Sequence, residues 1–212
     1  MKGRYDTAGS IEGQHEPGSS NSVLANKLGV VDPREMDDIE LDLLKRLHED
    51  IRNSFEANQR IRVADICDWH RRWLGNVYVW AGRYRTLNMG KGGFLFAAST
   101  QIPRLMDNLD SGVLSVHTPC TGLSEDQLAV AIAVVHVELI LIHPFREGNG
   151  RLSRLLASVM ALQADWPQLD YTHWDTHKSE YFSAIQAGLT DYKPMEALVR
   201  RALREAARNV DA

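Results

Sequence analysis

Residues 139–160 read LILIHPFREGNGRLSRLLASVM. Two apolar segments are separated by a histidine and proline, an acid, two glycines around an asparagine, and two arginines. Pro144 pushes the residue before it away from helical dihedrals, so the first segment is expected to end as a helix at His143. A second helix is expected over 149–163. Helix, short turn, helix is the core of an all-helical packing. The polar chemistry in the turn is more than a change of direction requires.

Working outward, LAVAIAVVHVELILI (128–142) is interrupted by His136 and Glu138. It is too short and too polar to span a bilayer, and reads as a buried central helix. SEDQ (124–127) supplies its N-terminal cap. Leu41, Leu44, Leu47, Ile51 and Phe55 recur at three and four, which predicts a helix over 37–55. Ile66, Trp69, Trp73 and Val77 predict another over 63–76, and further helices are expected near 100–109, 178–189 and 194–208. TLNMGKGGFLFAA (86–98) has glycines between short apolar pieces and reads as a β-hairpin or flap. Its NMGKGG does not have P-loop spacing. The expected class is mainly α with one hairpin, with residues 1–35 as an N-terminal arm and 36–208 as the helical domain. SIEG in the arm suggests a short helical turn.

The chain has 212 residues, 44% hydrophobic and 25% charged, which fits one globular domain with an arm. A net charge of −4 and the lack of a basic stripe argue against nucleic acid or an anionic membrane as partner, and so against a DNA-binding regulator. Cys67 and Cys120 form no CxxC pattern, and the N-terminal stretch lacks the apolar core of a secretion signal, so a cytoplasmic location is expected.

His143, at a helix end on the rim of the core, suits a general base near neutral pH. Phe145 would pin the turn to the core. Gly148, Asn149 and Gly150 precede a helix, where small residues let backbone N–H groups and the helix dipole face an anion. Arg151 and Arg154 share a face and can both fork onto a phosphate chain. Glu147 beside phosphates suits a divalent metal such as Mg²⁺, which takes few carboxylates and several phosphate oxygens. Each residue also has a plainer reading. His143 could cap a helix end, the arginines could be a solvated face, and Glu147 or Asn149 could cap the next helix. His136 lacks HExxH spacing and reads as a core histidine, and Tyr181 reads as a core aromatic.

HPFREGNGRLSR (143–154) is similar, without a gap, to the signature of Fic-domain proteins, His-x-Phe-x-Asp/Glu-Gly-Asn-Gly-Arg-x-x-Arg. WAGRYRTLNMGKGGFLFAA (80–98) resembles that family's flap and its lead-in, and the likeness extends over roughly 36–205. The resemblance implies a helical bundle with a β-hairpin flap over the site. It also implies transfer of AMP from ATP, with Mg²⁺, to a Ser, Thr or Tyr hydroxyl of a target protein. His143 would be the base and Glu147 the metal ligand. Gly148, Asn149 and Gly150 would cradle the α- and β-phosphates, with Arg151 on the β-phosphate side and Arg154 nearer the γ-phosphate. The phosphorylating variant of the family, Doc, has lysine where Gly150 stands, so glycine favours adenylylation. The flap, with Met89, Gly90, Lys91 and Gly92, would dock the target segment as an added strand.

Many members carry a self-inhibitory pattern, Ser/Thr-x-x-x-Glu-Gly/Asn. Glu12-Gly13 matches its end, its first position falls on Ala8, and Thr7 and Ser10 are out of register. The resemblance then implies that Glu12 pairs with Arg154 and displaces the γ-phosphate. Two alternatives accompany this reading: a de-AMPylating or bifunctional enzyme in which Glu12 orients water, and a catalytically idle nucleotide-binding scaffold. Oligomeric state is left open, a homo-oligomer included.

Overall fold

The computed structural model describes residues 10–54 and 56–210. Phe55, Thr7 and Ala8 lie outside the described residues. α1 (Pro33–Ser54) starts where the Asp32 carboxylate accepts from the backbone N–H groups of Arg34 (2.7 Å) and Glu35 (3.1 Å), with proline in the first turn. Its buried stripe is Met36, Glu40, Leu44, Leu47 and Ile51. Leu41, expected on that stripe, is exposed, because the inward phase includes the acid Glu40 instead.

α2 (Val63–Leu74) buries Ile66, Trp69, His70 and Trp73, and its first N–H is capped by Asp110 at 2.8 Å. The chain then forms the hairpin, β1 (Gly90–Lys91) antiparallel to β2 (Phe94–Leu95), with Gly90 opposite Leu95 and Lys91 opposite Phe94. Gly92 and Gly93 turn the hairpin with φ of 59° and 84°, the left-handed region that glycine adopts freely. α3 (Ile102–Asn108) does not stop near 109. It continues through a wider-wound π segment, Leu109–Leu114, into one more turn, α4 (Ser115–His117).

α5 (Glu125–Ile142) is the central helix. Ser124 and Gln127 cap it reciprocally at 3.4 and 3.0 Å. Leu128, Ile132, Val135, Leu139 and Ile142 are among its buried residues, and it packs against α6 (Asn149–Gln163) and α9 (Lys193–Val210). The short α7 (Thr172–Thr176), absent from the sequence reading, leads into α8 (Lys178–Ala187), which packs on α5 and α9. α1 covers α2, and α2 meets α6, so α2, α5 and α6 bring the motif turn to one end of the bundle. Among the described residues no helix is long and apolar enough to cross a membrane.

The arm is folded onto this bundle. Ile11–Gly13 forms the expected helical turn, His15 bridges Leu24, and the Lys27 N–H donates to the Val77 carbonyl at 2.8 Å.

Candidate active site

α5 ends at His143, whose N–H donates to Leu139 at 2.9 Å and whose φ of 52° turns the chain out of the helix. The imidazole Nδ1 lies 3.3 Å from the Ile140 carbonyl. A carbonyl only accepts, so Nδ1 carries the proton and Nε2 keeps its lone pair. The ring stacks on Phe96 of the flap at 3.7 Å and 7°. Burial, with the charges of Arg85 and Lys91 adding to it, lowers the pKa of His143 to about 3, so it is neutral at neutral pH.

Phe145 is fully buried, and its N–H and C=O bond both ends of the Asn149 amide, at 2.9 and 2.8 Å. That closed pair sets the loop leading into α6. Gly148 (φ 82°) has no room for a side chain: a Cβ would lie 2.6 Å from the Trp73 ring. At Gly150 a Cβ would meet nothing within 4 Å. One glycine is demanded by packing, and the other leaves open space at the helix N-terminus.

Glu147 Oε1 accepts from the Gly148 N–H at 2.9 Å and from Arg151 at 3.4 Å, and its side chain is 44% exposed to the cavity. Among the described residues no cluster of three or more His, Cys, Asp or Glu could hold a metal alone. A single exposed carboxylate facing an anion nest fits a divalent ion whose remaining ligands are phosphate oxygens and water.

Arg151 pairs with the buried Glu40 at 2.6 Å and lies over Trp73. Glu40 in turn accepts from the Tyr78 hydroxyl at 2.7 Å, so the guanidinium is aimed from behind. Arg154 bonds Asp175 at 2.8 Å and lies over Tyr171, with Trp174 and Tyr181 close by. His143, Glu147, Gly148, Asn149, Gly150, Arg151 and Arg154 therefore line one cavity of about 960 Å³, together with Met89 and Lys91 of the flap. Lys91 also lies 4.5 Å from the Phe182 ring centroid. Gly90 sits in β1, and Gly92 at the hairpin turn.

The expected pair of Glu12 and Arg154 is not formed. Glu12 is buried, its Oε1 accepting from the Thr86 N–H at 2.6 Å and from the Thr86 hydroxyl. Arg154 is held by Asp175. The tight turn over Ile11–Gly13 brings the Glu12 carboxylate to Thr86, at the start of the flap segment.

His136, fully buried, meets the Tyr181 hydroxyl at 2.7 Å and is held neutral with a pKa of about 3 by burial. It is a core histidine, as its spacing suggested. Tyr181 is both core and cavity wall.

Four further residues shape the site. Buried Arg85 donates to the carbonyls of His143 (2.6 Å), Ile142 (3.2 Å), Ala97 (2.6 Å) and Leu87, tying the end of α5 to both stems of the flap. His70 accepts from the Gly82 N–H at 2.8 Å and donates to the Glu147 carbonyl at 3.1 Å, stacked on Phe145. Glu40 and Asp175 orient the two arginines. Glu40 and His70 carried a signal, being polar residues in the inward phase of amphipathic helices. Arg85 and Asp175 lie in irregular or short segments with no period to reveal them.

Residues 60–161 match the Fic/DOC family model. The protein adenylyltransferase fic-1 of Caenorhabditis elegans is 32% identical over 147 residues, 69% of this chain and 28% of that protein. A probable protein adenylyltransferase, y4lH, of Sinorhizobium fredii is 27% identical over 180 residues, 84% of this chain and 90% of that one. The chain spans a third or less of the length of its animal relatives. In structure, BepC of Bartonella tribocorum, solved with bound AMPPNP, superposes with a TM-score of 0.72 over 90% of this chain and 96% of that one, at 23% identity, a likeness of fold. With the motif, the hairpin and the helical frame all in place, the chain belongs to the Fic/DOC family.

Proposed function

We propose that this protein is an adenylyltransferase that moves AMP from ATP to a hydroxyl of a protein target. The observation that carries the reading is the single cavity in which a neutral histidine faces a helix N-terminus flanked by two arginines. The named adenylyltransferase relatives and the AMPPNP-bound BepC support it.

In this reaction the acceptor hydroxyl gives its proton to His143 Nε2 as its oxygen bonds the α-phosphorus, and pyrophosphate leaves. Burial, with the charges of Arg85 and Lys91 adding to it, holds the free imidazole at low proton affinity. A polyphosphate in the cavity brings the opposite charge, which raises that affinity as the hydroxyl arrives. The N–H groups at Gly148–Gly150 take phosphate oxygens, and Arg151 and Arg154 take the charge of the leaving pyrophosphate. Asp175 shares Arg154 with the incoming phosphate. Glu147 would hold Mg²⁺, which supplies charge neutralisation between the phosphates. Catalysis of this kind is positioning plus electrostatics. The exposed hairpin edge, with Leu95 at its surface, would dock the target backbone. A cytoplasmic location fits the two free thiols, Cys67 and Cys120.

The test is AMP transfer from labelled ATP to the protein itself and to lysate. His143→Ala is expected to lower it by about 10²- to 10⁴-fold, the usual effect of removing a general base, with nucleotide binding retained. ATP binding without transfer by the wild type would favour an idle nucleotide-binding scaffold.

A further inference from the structure

Arg151 has two carboxylates within reach of a single nitrogen. Its Nη2 lies 2.6 Å from Glu40 Oε2 and 3.4 Å from Glu147 Oε1. The two acids sit in different surroundings. The Glu40 side chain is 4% exposed on the inward face of α1, whereas that of Glu147 is 44% exposed at the cavity. Glu147 stands four residues ahead of Arg151, close enough in the chain for a local ion pair.

Glu40 is anchored independently of Arg151. Its Oε1 accepts from the Tyr78 hydroxyl at 2.7 Å, and the Tyr78 ring stacks on Trp80 at 4.4 Å and 13°. Its backbone carbonyl accepts from Trp73 Nε1 at 2.8 Å, and the Arg151 guanidinium lies 4.8 Å from the Trp73 ring centroid. Attraction within the buried pair is less screened than attraction to the exposed acid, so Glu40 holds the guanidinium. The outcome of that competition matters to the site. A guanidinium closed onto Glu147 would offer fewer N–H groups to a phosphate, and the Glu147 carboxylate would no longer be free for a cation.

We propose that Glu40 is a positioning residue that holds Arg151 apart from Glu147 and so keeps both groups open to the nucleotide. The proposal rests on the reading above in which Arg151 takes a phosphate beyond the first. When the charge at position 40 is removed, Glu147, already 3.4 Å away, draws the guanidinium to itself. Arginine and acid then neutralise each other at the mouth of the phosphate nest. Glutamine at position 40 isolates this effect, because it has the same shape and keeps an oxygen for the Tyr78 hydroxyl.

The test is calorimetric binding of ADP and of AMP to the full chain in EDTA, where no metal bridges protein and phosphate. Glu40→Gln is expected to weaken ADP about 10-fold or more, the loss of one hydrogen bond to a charged group, while AMP stays within about 2-fold. Glu147→Gln added to Glu40→Gln removes the acid that captures Arg151. The double variant should therefore bind ADP within about 3-fold of the Glu147→Gln protein, a rescue that a merely structural role of Glu40 would not produce. Glu40→Asp keeps the charge and withdraws it by one methylene, so its ADP affinity should lie between those of the wild type and Glu40→Gln. It decides the matter alone if the glutamine variant does not fold. Unchanged ADP affinity, equal losses for ADP and AMP, or no rescue in the double variant would overturn the proposal. If the wild type binds neither nucleotide, the nucleotide reading fails, and a crystal structure of Glu40→Gln still decides on the positioning. Arg151 closed onto Glu147 would support it, and Arg151 still directed at position 40 would sink it.

Discussion

Gly148 and Gly150 stand two residues apart in one motif and obey different constraints. At Gly148 the backbone is left-handed and the Trp73 ring fills the space where a Cβ would go. Alanine there combines backbone strain with overpacking, each costing about 1–3 kcal/mol. At Gly150 nothing protein-borne stands within 4 Å, and alanine is the better helix former. Gly148→Ala is therefore expected to destabilise by about 2–6 kcal/mol. Gly150→Ala should leave stability within about 1 kcal/mol of the wild type or above it, while weakening nucleotide binding through a methyl group in the phosphate nest. Thermal unfolding alongside nucleotide titration separates the two, and equal stability losses would refute the assignment. The sequence leads one to expect both glycines in an anion nest. It could not show which one Trp73 requires, because that depends on how α2 lies on α6.

At the scale of elements, helices were legible wherever apolar spacing and capping agreed. α5 carries its cap in Ser124 and Gln127 and ends at the residue before Pro144, as expected. The phase of α1 was misread at Leu41 because the true inward residue is Glu40, an acid whose charge is met by Arg151 from another element. α7 was missed because five residues are too few to display a period. The Glu12–Arg154 pair failed for a related reason: local spacing says nothing about where a folded arm points. Joining elements is the work of Arg85, which binds carbonyls at the end of α5 and on both flap stems. A cation is favoured at those C-terminal carbonyls, and its planar fork reaches several at once. Arg85→Lys keeps the charge and loses the fork. It is expected to speed amide exchange over 87–97 and to cost roughly 2–4 kcal/mol of stability, as hydrogen bonds to a charged group are lost. Full protection of the flap in the lysine variant would show that charge alone suffices.

For the molecule as a whole, two buried histidines, His70 beside the site and His136 in the core, make the fold acid-sensitive. His70 clamps the motif loop to the Gly82 turn, and His136 joins α5 to Tyr181 of α8. Burial holds their pKa values down to about 4 and about 3. In the unfolded chain both titrate near 6.5. Between those limits the unfolded state binds protons that the native state refuses, so stability rises with pH there and is lost as pH falls below 6.5. Each pH unit is worth about 1.4 kcal/mol per histidine, so going from pH 6.5 to pH 5 costs about 2 kcal/mol for each. Chemical denaturation at pH 7 and pH 5 should show this loss. In His136→Gln the residue at 136 no longer titrates, so the variant should begin less stable at pH 7 yet lose about 2 kcal/mol less on acidification. An equal pH-dependent loss in variant and wild type would show that His136 is not held neutral by the core.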